Sequence, residues 1–194
     1  MSGEPGAIDG QIPASAVGAL DALPPGKLEE ELRHCCGARR FAYGMAQRRP
    51  FESLEGLIAA ADEVEATFGP EDWREAFAHH PRIGDIGALR LKFASAQSKS
   101  WSQGEQAGVA GAEDAVLEAL AAGNQAYEDR FGFLFIVCAT GKSASEMLAI
   151  LEKRLGNDPA GELAVAAGEQ SKITRLRLHK LLARLAAPEK RSHD

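Results

Sequence analysis

Apolar residues recur at spacings of three and four along almost the whole chain, and prolines, glycines and capping residues cut that pattern into short lengths. A side-chain face that returns at this spacing belongs to a helix, so the chain is restricted to helices that bury one stripe each. Leu28, Leu32 and Cys35 form one stripe between Pro24-Pro25 and Gly37, and Phe41 and Met45 form another that must end near Pro50. Leu54, Leu57, Ile58, Ala61, Val64 and Phe68 make a longer stripe, opened by Ser53 and stopped by Gly69. Pro70, Glu71 and Asp72 give a favourable first turn to a helix that carries Trp73, Ala76, Phe77 and His80 and is closed by Pro81. The periodicity returns with Val116, Leu117, Leu120 and Tyr127, and again with Met147, Leu148, Leu151 and Leu155 behind the capping box Ser143-Ala-Ser-Glu146. From Pro159 to Ala187 the pattern reads as one long helix carrying Leu163, Ile173, Leu176, Leu178, Leu181 and Leu182.

Two stretches interrupt the rule. Arg82 to Trp101 holds Gly84, Gly87, scattered basic residues and small polar ones; compact domains seldom keep a loop of about 20 residues without a use for it. Phe131 to Ala139 is a continuous apolar run, and a lone strand would have no partner, so it is expected as a buried extended or irregular connector. The expected fold is all-α, a single compact domain of about seven to nine helices with one irregular apolar connector. It should occupy residues 15–187 between flexible ends at 1–14 and 188–194.

Composition removes several classes of function. The net charge is -6, with 28 acidic against 22 basic side chains and no dense Lys/Arg block, which argues against nucleic acid and anionic membrane surfaces as partners. No apolar stretch is long enough to cross a bilayer, and Met1 to Gln11 lacks the regions of a secretory signal, so a soluble intracellular protein is expected. Aromatic residues are only 6% of the chain, which leaves aliphatic side chains and alanine to build the core. The three cysteines, Cys35, Cys36 and Cys138, have neither a disulfide-framework nor a metal spacing and read as small buried hydrophobes in a reducing compartment.

Three places could carry chemistry. His80 falls on the apolar stripe in the last turn of its helix, where the helix dipole favours the imidazolium and burial opposes it; it is either an acid–base group or a hydrogen-bonded structural histidine. His79 points elsewhere, into solvent. A metal site built from His34, His79 and His80 has poor ligand spacing, because adjacent histidines on a helix cannot face one ion. Ser102 and Glu105 have the spacing of a capping box, and a helix N-terminus beside a carboxylate can also bind a polar ligand. Arg177 lies between Ile173 and Leu181 on the apolar face of the last helix, so its guanidinium needs a carboxylate partner, an anionic ligand or a snorkelling route to water. Arg175, at the polar edge, is expected to be solvated. Gly141-Lys142-Ser143 mimics the end of a phosphate-binding loop, but Ile136 stands where that loop needs glycine.

Taken in order, Cys35-Cys36-Gly37, Phe41, Met45, Arg49-Pro50-Phe51, His80-Pro81-Arg82-Ile83-Gly84-Asp85, Ser102-x-x-Glu105-Gln106, Tyr127-Glu-x-x-Phe131-Gly-Phe133, Arg154-Leu155-x-Asn157 and Lys172-Ile173-x-x-Leu176-Arg177-Leu178 resemble the 2-oxo-4-hydroxy-4-carboxy-5-ureidoimidazoline (OHCU) decarboxylase family from about residue 20 to 185. The resemblance implies an all-helical homodimer of urate catabolism that forms (S)-allantoin from a small anionic substrate without cofactor or metal. It implies that His80 is the catalytic acid, Glu105 the catalytic carboxylate and Arg177 the anion-binding arginine. It further implies that Pro81, the segment Ser102, Gln103, Gly104, Glu105 and Gln106, and the stretch Phe135, Ile136, Val137, Cys138 and Ala139 contact the substrate, the last partly through its backbone. Leu134 stands where the family often has proline, and the chain ends Arg-Ser-His-Asp without a peroxisomal signal, so a cytoplasmic, bacterial setting is expected. The competing expectation is a helical interaction module in which these residues are only structural.

Overall fold

A computed structural model of the chain describes residues 13–81 and 103–187, with the side chains of 103–113 left aside. The described residues form eight helices and no strand: α1 (Ala14–Asp21), α2 (Pro25–Cys36), α3 (Arg39–Ala46), α4 (Leu54–Glu65), α5 (Pro70–Ala78), α6 (Gln103–Phe131), α7 (Ala144–Leu155) and α8 (Pro159–Ala186). The all-α expectation holds. Helix α1 is additional to the helices that the apolar spacing predicts, and Ala16, Val17 and Leu20 are its buried face. The stretch 82–101 lies outside the described residues. Contacts gather into two units, the first of residues 1–68 and 174–194 and the second of residues 69–173, so α8 contributes its second half to the first unit and its first half to the second.

In the first unit α3 packs against α2 and α4, and α4 also meets α1. Leu20, Leu28, Leu32, Phe41, Met45, Leu57, Val64, Leu178 and Leu182 have no more than 1% of their surface exposed. The ends of these helices follow local rules. Pro25 occupies the first turn of α2, and Gly37 stops it with φ 97°, a left-handed conformation that a side chain would strain. The Ser53 hydroxyl accepts the Gly56 N–H at 3.0 Å and caps α4. The helix stops at Glu65 rather than running on to Phe68; the N–H groups of Thr67 and Phe68 reach back only three residues, to the Val64 and Glu65 carbonyls, and tighten the chain out of the α-helical pattern.

The second unit is built differently. Its core holds a cluster of five aromatic rings: Tyr127 lies 4.6 Å from Phe131, 5.2 Å from Phe135 and 5.8 Å from Phe133, and Phe77 lies 5.2 Å from Phe133. Aliphatic side chains and alanine supply most of both cores, as expected, and in the second unit they pack around rings drawn largely from one short segment. Helices α6 and α7 pack closely: a Cβ on Gly123 would sit 2.6 Å from Leu151 Cδ2. The capping box of α7 forms as read, with Glu146 N–H to Ser143 Oγ at 3.2 Å and Ser143 N–H to Glu146 Oε2 at 2.7 Å. The apolar run expected from Phe131 to Ala139 starts in the last residue of α6, and the segment 132–143 between α6 and α7 is an irregular connector with Phe133, Phe135, Ile136 and Val137 buried and Leu134 half-buried.

Candidate active site

Helix α5 begins as the sequence predicts, with Pro70 in its first turn and Asp72 accepting the Gly69 N–H at 2.9 Å. It ends earlier than expected. Ala78 is the last helical residue and His79 the C-cap, so His80 lies just past the helix instead of in its last turn. Pro81 accounts for this, since the residue before a proline is pushed out of the helical conformation. The His80 N–H still reaches the Phe77 carbonyl at 3.0 Å, and its ring is half-buried. His80 Nε2 lies 2.7 Å from Oε1 of Gln170, a fully buried residue of α8. A cavity of about 230 Å³ opens beside His80, lined by Arg74, Phe77, Glu128, Gly132, Phe133 and Leu134. A part-exposed imidazole with one nitrogen held and a cavity beside it can act as acid or base near neutral pH. His79 is exposed, Pro81 is exposed, and among the described residues no group of histidine, cysteine and carboxylate side chains could hold a metal ion.

The connector is pinned at three backbone atoms. Arg154 Nη1 donates to the Ile136 carbonyl at 2.6 Å, Cys138 N–H donates to Glu169 Oε2 at 2.8 Å, and Lys142 Nζ donates to the Cys138 carbonyl at 2.9 Å. Burial pushes the Glu169 carboxyl up, but its bonds from Lys172 and from the Cys138 N–H outweigh this and hold it below the ordinary carboxylate range. The Cys138 amide and the Ile136 and Cys138 carbonyls are thus spent within the protein. The neighbouring N–H and carbonyl of Val137 have no partner among the described residues. Cys138 is half-buried rather than buried. Cys35 and Cys36 are buried as expected, and burial pushes both thiols up to about 12, which keeps them protonated and inert.

Behind the connector sits a polar cluster that sequence reasoning did not find. Arg154 and Glu162 are 5% and 0% exposed, and Arg154 Nε and Nη2 meet Glu162 Oε1 at 2.7 and 2.5 Å. The Tyr127 hydroxyl donates to Glu162 Oε1, Asn157 Nδ2 donates to Glu162 Oε2 at 2.6 Å, and the Arg154 guanidinium lies 4.8 Å from the Phe135 ring centroid. Burial pushes the Tyr127 phenol above its ordinary range, so it remains the donor. Arg154 lies three residues beyond Leu151 on the buried stripe of α7, the same signal that singled out Arg177.

Arg177 is half-exposed, not buried. Its Nη1 donates to the carbonyls of His34 and Cys35, at 3.3 and 3.2 Å, at the C-terminal end of α2. The long side chain carries the guanidinium off the apolar face to a helix end whose dipole favours a cation. Arg175 keeps its side chain exposed, as expected, and in addition pairs with Asp62 at 2.5 Å on the surface. His80, Gln170 and the connector belong to the second unit and Arg177 to the first. Ser102 lies outside the described residues, as do the side chains of Gln103, Glu105 and Gln106, so the expected cap and carboxylate at 102–106 fall there; the described part of α6 starts at Gln103.

A family model described as OHCU decarboxylase matches residues 21–179. The chain is 38% identical over 155 residues to the uric acid degradation bifunctional protein TTL of Arabidopsis thaliana, a match covering 80% of this chain and 47% of that protein. The chain thus spans about half the length of that relative. It is 31% identical over 134 residues to the 2-oxo-4-hydroxy-4-carboxy-5-ureidoimidazoline decarboxylase of Amia calva, covering 69% of this chain and 75% of that one. A crystal structure of OHCU decarboxylase in the presence of (S)-allantoin superposes with a TM-score of 0.64 at 34% identity, covering 79% of this chain and 98% of that one.

Proposed function

The chain belongs to the OHCU decarboxylase family, and from that membership we propose that it converts OHCU to (S)-allantoin in urate breakdown, as a cytoplasmic homodimer that needs no cofactor. Residues 15–187 act as one catalytic domain in this reading. The observation that carries it is the extent of the match, because residues 21–179 include every position to which the resemblance assigns a role.

The substrate explains how so few side chains could suffice. The carbon that loses its carboxylate bears a hydroxyl and adjoins a ring C=N bond. When the bond to the carboxylate breaks, CO2 leaves, its electron pair moves into the imine, and the ring nitrogen takes up a proton. The resulting enol returns to a carbonyl as the former imine carbon takes a proton on one face, which sets the S configuration. His80 donates the proton, Glu105 orients the ring or ureido N–H groups, and Arg177 binds a substrate carboxylate or carbonyl oxygen. Pro81, residues 102–106 and residues 135–139 line the ring. In a chain of net charge -6, an anionic ring needs such local cations.

The test is to generate OHCU enzymatically from urate and follow the circular dichroism of the product. The protein should form (S)-allantoin faster than the spontaneous reaction, and His80→Ala should lose about 10² to 10⁴-fold in kcat. Turnover at the native rate by a folded His80→Ala variant would sink the assignment. Glu105→Gln keeps a capping-competent amide, so a large rate loss at an unchanged melting temperature separates catalysis from capping.

A further inference from the structure

Two consecutive residues of α8 hold two separate pieces of the candidate site. Glu169 accepts the Cys138 N–H and fixes the connector, and Gln170 meets His80 Nε2 at 2.7 Å. Gln170 is fully buried, one turn from Ala166 and one turn from Thr174, which are buried as well. An aliphatic side chain would fill such a position at no polar cost, whereas a buried amide is retained only where its polar atoms are bonded. The oxygen of an amide can only accept, so a ring nitrogen bonded to it must carry the hydrogen. Neutral His80 is then the tautomer protonated on Nε2, and its acid–base exchange is left to Nδ1.

We propose that Gln170 is the positioning residue of His80, fixing the tautomer and orientation of the ring so that protons pass through Nδ1, while Glu169 sets the connector beside it. The inference rests on the decarboxylase reading above and adds a residue to it. The charged groups that share the cavity with His80 are Arg74 of α5 and Glu128 of α6. Neither can replace Gln170 in fixing Nε2, because the amide already occupies that nitrogen.

The experiment uses the full chain with Gln170→Leu and Gln170→Glu. Nitrogen–proton correlation spectra of the His80 ring, recorded where it is neutral, should show Nε2–H in the wild type and a mixture of tautomers in Gln170→Leu. On enzymatically generated OHCU, Gln170→Leu should lose about tenfold to a hundredfold in kcat with KM changed by less than about threefold. Gln170→Glu keeps the acceptor and adds a negative charge at Nε2, so the His80-dependent limb of its pH profile should move up by about one unit or more. A purely structural glutamine would shift neither the tautomer nor the pH profile. The proposal is overturned if the neutral ring is protonated on Nδ1 in the wild type, or if a folded variant keeps the native kcat and pH profile. Should Gln170→Leu fail to fold, the Glu variant decides. If the wild type does not turn over OHCU, the functional reading fails, and the ring spectra alone still settle whether Gln170 sets the tautomer.

Discussion

Arg154 and Arg177 both sit on helix stripes whose other members are apolar, yet the two end in opposite surroundings. In the second unit, Arg154 is buried and spends all three guanidinium nitrogens on Glu162, the Tyr127 hydroxyl and the Ile136 carbonyl. In the first unit, Arg177 is half-exposed and uses only Nη1, on two carbonyls at the end of α2. Its Nε and Nη2 have no acceptor among the described residues. A guanidinium whose donors are all committed belongs to the scaffold, whereas one anchored through a single nitrogen keeps a fork of donors for an anion. Burial therefore separates the roles better than position on a helical wheel does.

The comparison can be broken most severely at Arg154. Replacing it with Met leaves the Glu162 carboxylate buried without its cation, so Arg154→Met should cost about 3 to 5 kcal/mol of stability in denaturant unfolding. Adding Glu162→Leu should restore part of that loss, because a well-packed apolar pair can replace a buried ion pair. No recovery in the double variant would mean that the connector, not the charge pair, sets the cost. At Arg177 the balance should reverse. Arg177→Met should leave stability within about 1 kcal/mol, since the group is half-exposed and bonds only helix-end carbonyls. On OHCU the same variant should raise KM by about tenfold or more, the worth of a lost charged hydrogen bond; an unchanged KM with a large stability loss would make Arg177 a scaffold residue too. The smallest effect belongs to Glu169. Its carboxyl lies below the ordinary range when folded, so the stability it contributes is present above that range and is lost as pH falls through the lowered value. Thermal unfolding between neutral and acid pH should therefore be slightly less pH-dependent in Glu169→Gln than in the wild type.

The readings that held depend on neighbours in the chain. Ser143 with Glu146, Ser53 before α4 and Gly37 after α2 act within four residues, and short-range chemistry leaves a short-range trace. The connector was also legible, because a nine-residue apolar run without a pairing partner has few other options. Arg154 was legible by the same wheel argument that found Arg177, but its partner was not, since Glu162 reads as an ordinary first-turn acid of a long helix. Gln170 left no signal: an uncharged polar residue between Glu169 and Ser171 looks like surface until its contact with His80, ninety positions away, is seen. The burial of Arg177 was misjudged because the wheel places its Cα and says nothing of where a long side chain ends.

The connector also constrains how this chain can change in length. Ile136 and Cys138 are two residues apart, and their backbone atoms are gripped by side chains from two different helices, Arg154 on α7 and Glu169 on α8. The two gripped atoms are set by the spacing of the chain, so a residue added or removed between them moves one out of reach of its partner. One insertion between these grips should release one of them. Length variation among relatives should then fall in the turn at Thr140-Gly141, where Gly141 takes φ 74° and its two neighbours are not tied to the core by Arg154 or Glu169. The segment from Ile136 to Cys138 works as a ruler of fixed length, read off against two helices at once.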